Sequence, residues 1–205
     1  MSIFSNKKTD IIEVDETVIE NGEHPLTEII RFSIIALLIV IPIRMFVAQP
    51  FIVSGASMET TFHSGEYLIV DQVSYHLHGP ARGDVIIFRY PRDPSKFFIK
   101  RVIGVPGDTI LIKDGIVTIS NEANPEGFTL EEPYAETMPP AAKMTETLGD
   151  REYFVMGDNR DESSDSRVWG VLQEERIIGR AWIRLFPPTV IDYLPGAADP
   201  IISSK

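Results

Sequence analysis

Apolar and polar positions along the chain fall into three regimes. Residues 1–28 hold seven carboxylates against two lysines with almost no apolar clustering, which predicts an acidic tail without fixed structure. Residues 29–47 are the most apolar stretch of the chain, yet the charge-free heart, residues 32–43, is only 12 residues long. That length suits a core helix or the apolar part of a cleavable export signal as well as a membrane span. Arg31 and Arg44 stand near the two ends, where long side chains reach the headgroup level and extend the span to 19 residues. The pattern therefore predicts one uncleaved transmembrane helix over 29–47. Beyond it come short runs rich in Val, Ile, Phe and Tyr, punctuated by Gly and Pro, at residues 50–53, 67–73, 84–90, 97–105, 109–112, 116–119, 153–156 and 180–184. Lys113-Asp114-Gly115 between two of them reads as a hairpin turn. Only residues 57–64 and 173–177 suggest short helical turns. The expected architecture is mainly β: an antiparallel curled sheet or partial β-barrel over 48–194, behind one N-terminal transmembrane helix and followed by a tail at 195–205. Residues 120–151 break the pattern. They are acidic, hold Pro125, Pro133, Pro139 and Pro140, and read as an inserted loop or small flap, with mobile disorder as the alternative. The sequence assigns them no chemistry.

At 205 residues the chain accommodates one compact domain plus extensions. The net charge of −11 argues against nucleic acid as a partner. With no cysteine, disulfides, thiol catalysis and thiolate metal sites are excluded.

Two short segments carry candidate chemistry. Ser57 lies in SGASM (54–58) and Lys100 in FIKRVIG (98–104), and together they look like the halves of a serine/lysine dyad. A hydroxyl is a poor nucleophile until a base removes its proton, and a lysine inside an apolar run can be that base. An unperturbed lysine, with a pKa near 10.4, is neutral in only about one copy in two to three thousand at pH 7. Lowering that value to about 7 takes roughly 4–5 kcal/mol of destabilisation of the ammonium form, within reach of burial in hydrocarbon. Strand alternation places Phe98, Lys100 and Val102 on one face and Phe97, Ile99, Arg101 and Ile103 on the other. From this segment alone, a lysine snorkelling to water remains the alternative. A third segment, GDNRDESSDSR (157–167), is dense in hydrogen-bonding groups and in isolation reads as a solvated turn.

Taken in order, SGASM, GDVIIF (83–88), FIKRVIGVPGD (98–108) and GDNRDESSDSR resemble the bacterial type I signal peptidase (leader peptidase) family, over residues 50–184. The resemblance implies Ser57 as nucleophile and Lys100 as general base, acting through an acyl-enzyme. It implies Ser163 as the hydroxyl that orients the lysine, and Asp165 and Arg167 as a supporting ion pair. Asp158 would shape the site electrostatically. A carboxylate too close to Lys100 would raise the pKa of the amine, so Asp165 is better paired with Arg167. Two positions depart from the family. Thr60 stands where proline is usual and would have fixed φ, and Gly55 stands where some members carry a hydroxyl beside the oxyanion. The oxyanion hole then rests on the Ser57 backbone N–H, with the second donor open. Met58, beside the nucleophile, reads equally as a substrate-pocket residue or as core.

The resemblance further implies a plasma-membrane enzyme with a cytoplasmic N-terminus and an extracytoplasmic catalytic domain. Its partners would be exported preproteins with signal peptides, the lipid bilayer and the secretion translocon. No metal or organic cofactor is expected. Ten residues from Val47 to Ser57 reach at most about 33–36 Å, which keeps the nucleophile near the membrane surface. Residues 50–53 read as an apolar rim resting on lipid or as a buried strand. Two rival readings are a Ser/His/Asp hydrolase using Ser57 with His63, His76 or His78, and a catalytically inactive membrane-tethered β-rich binding module. An intracellular self-cleaving repressor is opposed by the apolar span and by the absence of a DNA-binding region.

Overall fold

The computed structural model describes residues 25–135, 138, 143–197 and 201–203. The acidic tail predicted over 1–28 lies outside them as far as residue 24, as do parts of the C-terminal tail. The chain divides between Val40 and Ile41 into two compact units. Helix α1, Pro25–Pro42, begins four residues before the predicted span, with proline in the first turn, where the lost N–H would be unpaired anyway, and Glu28 near the positive end of the helix dipole. None of its residues is buried, and it is long and apolar enough to cross a membrane. A π-helical turn, Ile43–Val47, follows.

The second unit is antiparallel throughout. Its strands are β1 (Ala48–Ile52), β2 (Tyr67–Asp71), β3 (Val85–Arg89), β4 (Phe97–Gly104), β5 (Thr109–Lys113), β6 (Ile116–Asn121), β7 (Asn124–Glu131), β8 (Met144–Thr147), β9 (Glu152–Met156), β10 (Leu172–Gln173), β11 (Ile177–Phe186), β12 (Asp192–Tyr193) and β13 (Ile201–Ser203). Short helices α2 (Ser74–Leu77) and α3 (Ser166–Trp169) sit between β2 and β3 and between β9 and β10. One sheet runs β1-β2-β11-β3-β4-β9-β10, with β12 paired to β11, and the other β13-β7-β6-β5-β8. The larger sheet curls: β1 and β4 are four places apart in the order, yet the rings of Phe51 and Phe97 meet edge to face at 5.3 Å. The curled, mainly β architecture expected from the strand pattern is the one observed.

The curl is driven by burial on both faces. Strand β3 is buried at four successive positions, Val85 to Phe88. Val85 and Ile87 pack with Met58, Phe62, Leu68 and Val70, whereas Ile86 and Phe88 pack with Val102, Val155 and Leu172. A third cluster joins Ile103, Phe154 and Met156 to Ile110, Ile112, Val117, Ile119, Phe128 and Leu130 of the smaller sheet. Fully burying each such side chain contributes roughly 1.5–3 kcal/mol. The β5–β6 hairpin turns at Asp114 and Gly115, with φ of 51° and 79°. Two successive positive φ values make the two-residue turn whose twist matches the strands, which is why Asp-Gly stands there.

One expectation needs correction. Residues 120–151, read as a loop or small flap, contribute β7 and β8 to the smaller sheet, and Met138 and Leu148 to its core. Strand β7 buries only Phe128 and Leu130, so its alternation is too short to register against the acidic, proline-bearing background.

Candidate active site

Three segments of the β unit converge. The first follows β1, where the Val53 N–H donates to the Glu66 carbonyl and the Gly65 N–H to the Val53 carbonyl, both at 2.9 Å, fixing the entry to the SGASM segment. Gly55 takes φ of 100°, which glycine reaches without steric cost. A tight turn then forms, with the Thr61 and Phe62 N–H groups donating to the Met58 carbonyl. Met58 and Phe62, 1% and 0% exposed, anchor this turn in the core and leave Ser57 half-buried at the surface of a cleft. Met58 lies in a buried cluster with Phe62, Leu68 and Val70 and is not among the residues that line the cleft.

The second segment is β4. Lys100 faces Ile86 of β3 directly across the ladder, has Phe98 and Val102 on its own face, and is 3% exposed. Its Nζ donates to Ser57 Oγ at 2.6 Å and to the Ile99 carbonyl at 2.9 Å, and lies 5.3 Å from the Phe98 ring centroid. Burial lowers its pKa from 10.5 to about 8, against the opposing pull of Asp165 and Asp158 and with help from Arg167. A base at about 8 is neutral in about one copy in eleven at pH 7, against about one in three thousand at 10.5.

Arg101, next along β4, is fully buried. Its guanidinium makes a two-bonded ion pair with Asp158, Nε to Oδ1 at 2.8 Å and Nη2 to Oδ2 at 2.6 Å, and donates to the Gly83 and Gly196 carbonyls. Thr61 Oγ1 donates to Asp158 Oδ2 at 2.5 Å. The pairing with Arg101 offsets the Asp158 charge in part, and what remains still raises the Lys100 pKa.

The third segment is the loop after β9. The Asn159 N–H donates to the Ser57 carbonyl at 3.2 Å, tying this loop to the nucleophile turn. Between them lies Gly157: a Cβ there would meet both Ser163 Oγ and the Ser57 carbonyl at 2.3 Å, so only glycine permits the approach. Asp165 binds Arg167 through two bonds of 2.8 Å and accepts the Gly157 N–H at 3.1 Å. Burial would raise the Asp165 pKa, but the Arg167 bonds and charge, together with Ser163 and the Gly157 N–H, hold the carboxyl below its usual range. Ser163 is brought to the site, with its Oγ buried. That oxygen has no well-formed hydrogen bond among the described residues, lying close enough to Asp165 to favour its charge without meeting bond geometry, and the two bonds of Lys100 go elsewhere.

The cleft holds about 480 Å³ and runs between residues 51–57 on one wall and 96–100 on the other, with Glu162 and Ser164 at its edge. Gly55, Ser57 and Lys100 line it. No acceptor for the Ser57 backbone N–H occurs among the described residues. His63, His76 and His78 are exposed, and none bonds to Ser57 or to an aspartate among the described residues, so the Ser/His/Asp reading finds no assembled triad. No pattern in the residues assigns a role to Gly157, Thr61, Arg160, Glu132 or Tyr134. The first three lie in or beside the motifs, while Glu132 and Tyr134 sit in a segment with no periodic signal.

A family model described as signal peptidase, peptidase S26, matches residues 26–186. The chain is 40% identical over 169 residues to a probable signal peptidase I-1 of Synechocystis sp., covering 79% of this chain and 83% of that protein. It is 37% identical over 173 residues to a signal peptidase I of Leptolyngbya laminosa, covering 81% and 82%. A crystal structure of a signal peptidase I from Enterococcus faecalis V583 aligns at 30% identity with a TM-score of 0.42, over 49% of this chain and 95% of that one.

Proposed function

The chain belongs to the signal peptidase family, peptidase S26, and from that premise we propose a membrane-bound serine endopeptidase that removes signal peptides with Ser57 as nucleophile and Lys100 as general base. It is a hydrolase of the signal peptidase I type. What carries the dyad reading is one observation, a lysine 3% exposed whose Nζ sits 2.6 Å from a serine hydroxyl lining a cleft.

In the proposed reaction, neutral Lys100 takes the Ser57 proton as Oγ attacks the scissile carbonyl. The oxyanion develops against the Ser57 N–H, which has no other acceptor among the described residues. Collapse of the tetrahedral intermediate passes the proton from the lysine to the leaving amine, which departs as the new N-terminus of the mature protein, and leaves the signal peptide as an ester on Ser57. Lys100, neutral again, takes a proton from the water that attacks this ester and returns it to Ser57 Oγ as the signal peptide is released with a free carboxylate. Asp158 and Asp165 each raise the Lys100 pKa, and pairing with Arg101 and Arg167 limits that opposition. Ser163 and Gly55 support the site by shape rather than through a bond to the lysine.

Substrate enters extended along the cleft between the end of β1 and β4, where it can pair with exposed backbone. Helix α1 crosses the bilayer with the N-terminus in the cytoplasm, and the short link to Ser57 keeps cleavage close to the outer lipid surface, where the translocon delivers a preprotein. The test is incubation of the full chain with a signal-bearing preprotein. Ser57→Ala and Lys100→Ala should each abolish hydrolysis, and unchanged cleavage in either removes the dyad.

A further inference from the structure

The turn at 57–61, strand β4 and the loop at 157–160 carry the site, and one short stretch outside them touches all three. Just past β7, Glu132 forms a two-bonded ion pair with Arg160, at 2.7 Å to Nη1 and 2.5 Å to Nη2. Arg160 is 3% exposed and turns its Nε onto the Gly157 carbonyl at 3.0 Å. Two residues on, the Tyr134 ring covers the buried Arg101 guanidinium, with Cζ 3.8 Å from the ring centroid. The Tyr134 carbonyl accepts the Thr60 hydroxyl at 2.8 Å, and its own hydroxyl donates to Glu132 at 3.3 Å.

Thr60 explains why such a contact is needed. Its φ is 93°, a conformation no proline can adopt and a β-branched residue rarely does. Backbone held in such a region persists only where the surroundings fix it. With no proline to stiffen the turn after the nucleophile, the bond to Tyr134 supplies an outside hold.

We propose that residues 132–134 act as a strap that positions the dyad, clamping the nucleophile turn against β4 and the 157–160 loop so that Ser57 stays within bonding distance of Lys100. Glu132 and Tyr134 make no bond to either reacting atom, so they are positioning residues. The inference rests on the dyad reading and deepens it.

The experiment compares full-length wild type, Tyr134→Phe and Tyr134→Ala in detergent micelles. It reads kcat and KM on a signal-bearing preprotein, and the titration of the Lys100 amine by NMR of 15N-labelled lysine. Tyr134→Phe keeps the ring and the backbone acceptor, and it should match wild type in all three. Tyr134→Ala should lower kcat about tenfold or more with KM within about twofold, as expected for lost alignment rather than lost binding. It should also move the Lys100 titration upward from about 8, because water then reaches the loosened site. The charges facing Lys100, Asp165 and Asp158 against Arg167, are the same in both variants. A folded Tyr134→Ala with wild-type kcat, or with an unmoved Lys100 titration, overturns the strap. Should Tyr134→Ala not fold, Thr60→Val cuts only the tie to the turn, and the same criteria apply to it. If wild type cleaves no preprotein the dyad reading fails by itself, while the titration, taken without substrate, still decides the strap.

Discussion

Replacing Lys100 by methionine should abolish cleavage and at the same time make the folded protein more stable at neutral pH. The buried amine titrates at about 8 instead of 10.5, and at about 1.4 kcal/mol per tenfold that gap means its ammonium form costs about 3 kcal/mol to fold at pH 7. Between pH 8 and 10.5 the unfolded chain binds the proton that the folded chain has released, so stability rises with pH through that window and the cost is gone above it. Methionine fills similar volume and carries no charge. It also loses the bonds to Ser57 Oγ and the Ile99 carbonyl, each contributing about 0.5–1.5 kcal/mol. The net gain at pH 7 is then about 0–2 kcal/mol, or up to roughly 8 °C in thermal midpoint for a domain of this size. Circular dichroism melts of both proteins in the same detergent, at pH 7 and above pH 10.5, read this directly. The advantage should shrink to nothing or reverse at the higher pH. A variant less stable than wild type at pH 7, or a difference that does not change with pH, would refute the claim that burial discharges this lysine.

Other residues give sharper structural outcomes. Asp158→Ala leaves the fully buried Arg101 guanidinium without its carboxylate, and should destabilise the domain by about 3–5 kcal/mol in chemical or thermal denaturation. Gly157→Ala forces a methyl group against Ser163 Oγ and the Ser57 carbonyl; preprotein cleavage should drop by about tenfold or more, since a displacement of about 1 Å at a reacting group is enough for such a loss. The triple change of His63, His76 and His78 to alanine should leave cleavage at neutral pH within about twofold, because all three are exposed and outside the cleft. A large loss there would reopen the histidine-based alternative.

Much of this was legible in the residues because the physics involved is local. Alternating Val, Ile and Phe marked β2 to β6 closely, and Asp114-Gly115 marked its own turn. Lys100 could be placed among Phe98 and Val102 by counting along one strand. What sequence could not reach depends on long-range closure. The curl that sets Phe51 against Phe97 comes from burial on both faces of β3, which no single strand records. Arg101, assigned only to the face opposite Lys100, is instead fully buried, a state set by Asp158, 57 residues away. Glu132 and Tyr134 lie in an acidic, proline-bearing segment whose strands bury too few residues to show a period. Their partners, Arg160 and Arg101, are known only once the segment has folded back. The substitution of Thr60 for proline was visible, but its positive φ and the carbonyl that holds it were not.

Activation of Ser57 by a neutral Lys100 is tested most directly by the pH dependence of kcat/KM for preprotein cleavage by the wild-type chain. That ratio reports the ionisation of the free enzyme. It should decline tenfold per pH below an acid limb at about 8, set by the Lys100 ammonium. A limb near 6.5, the ordinary histidine value, or none between pH 6 and 10, would contradict it.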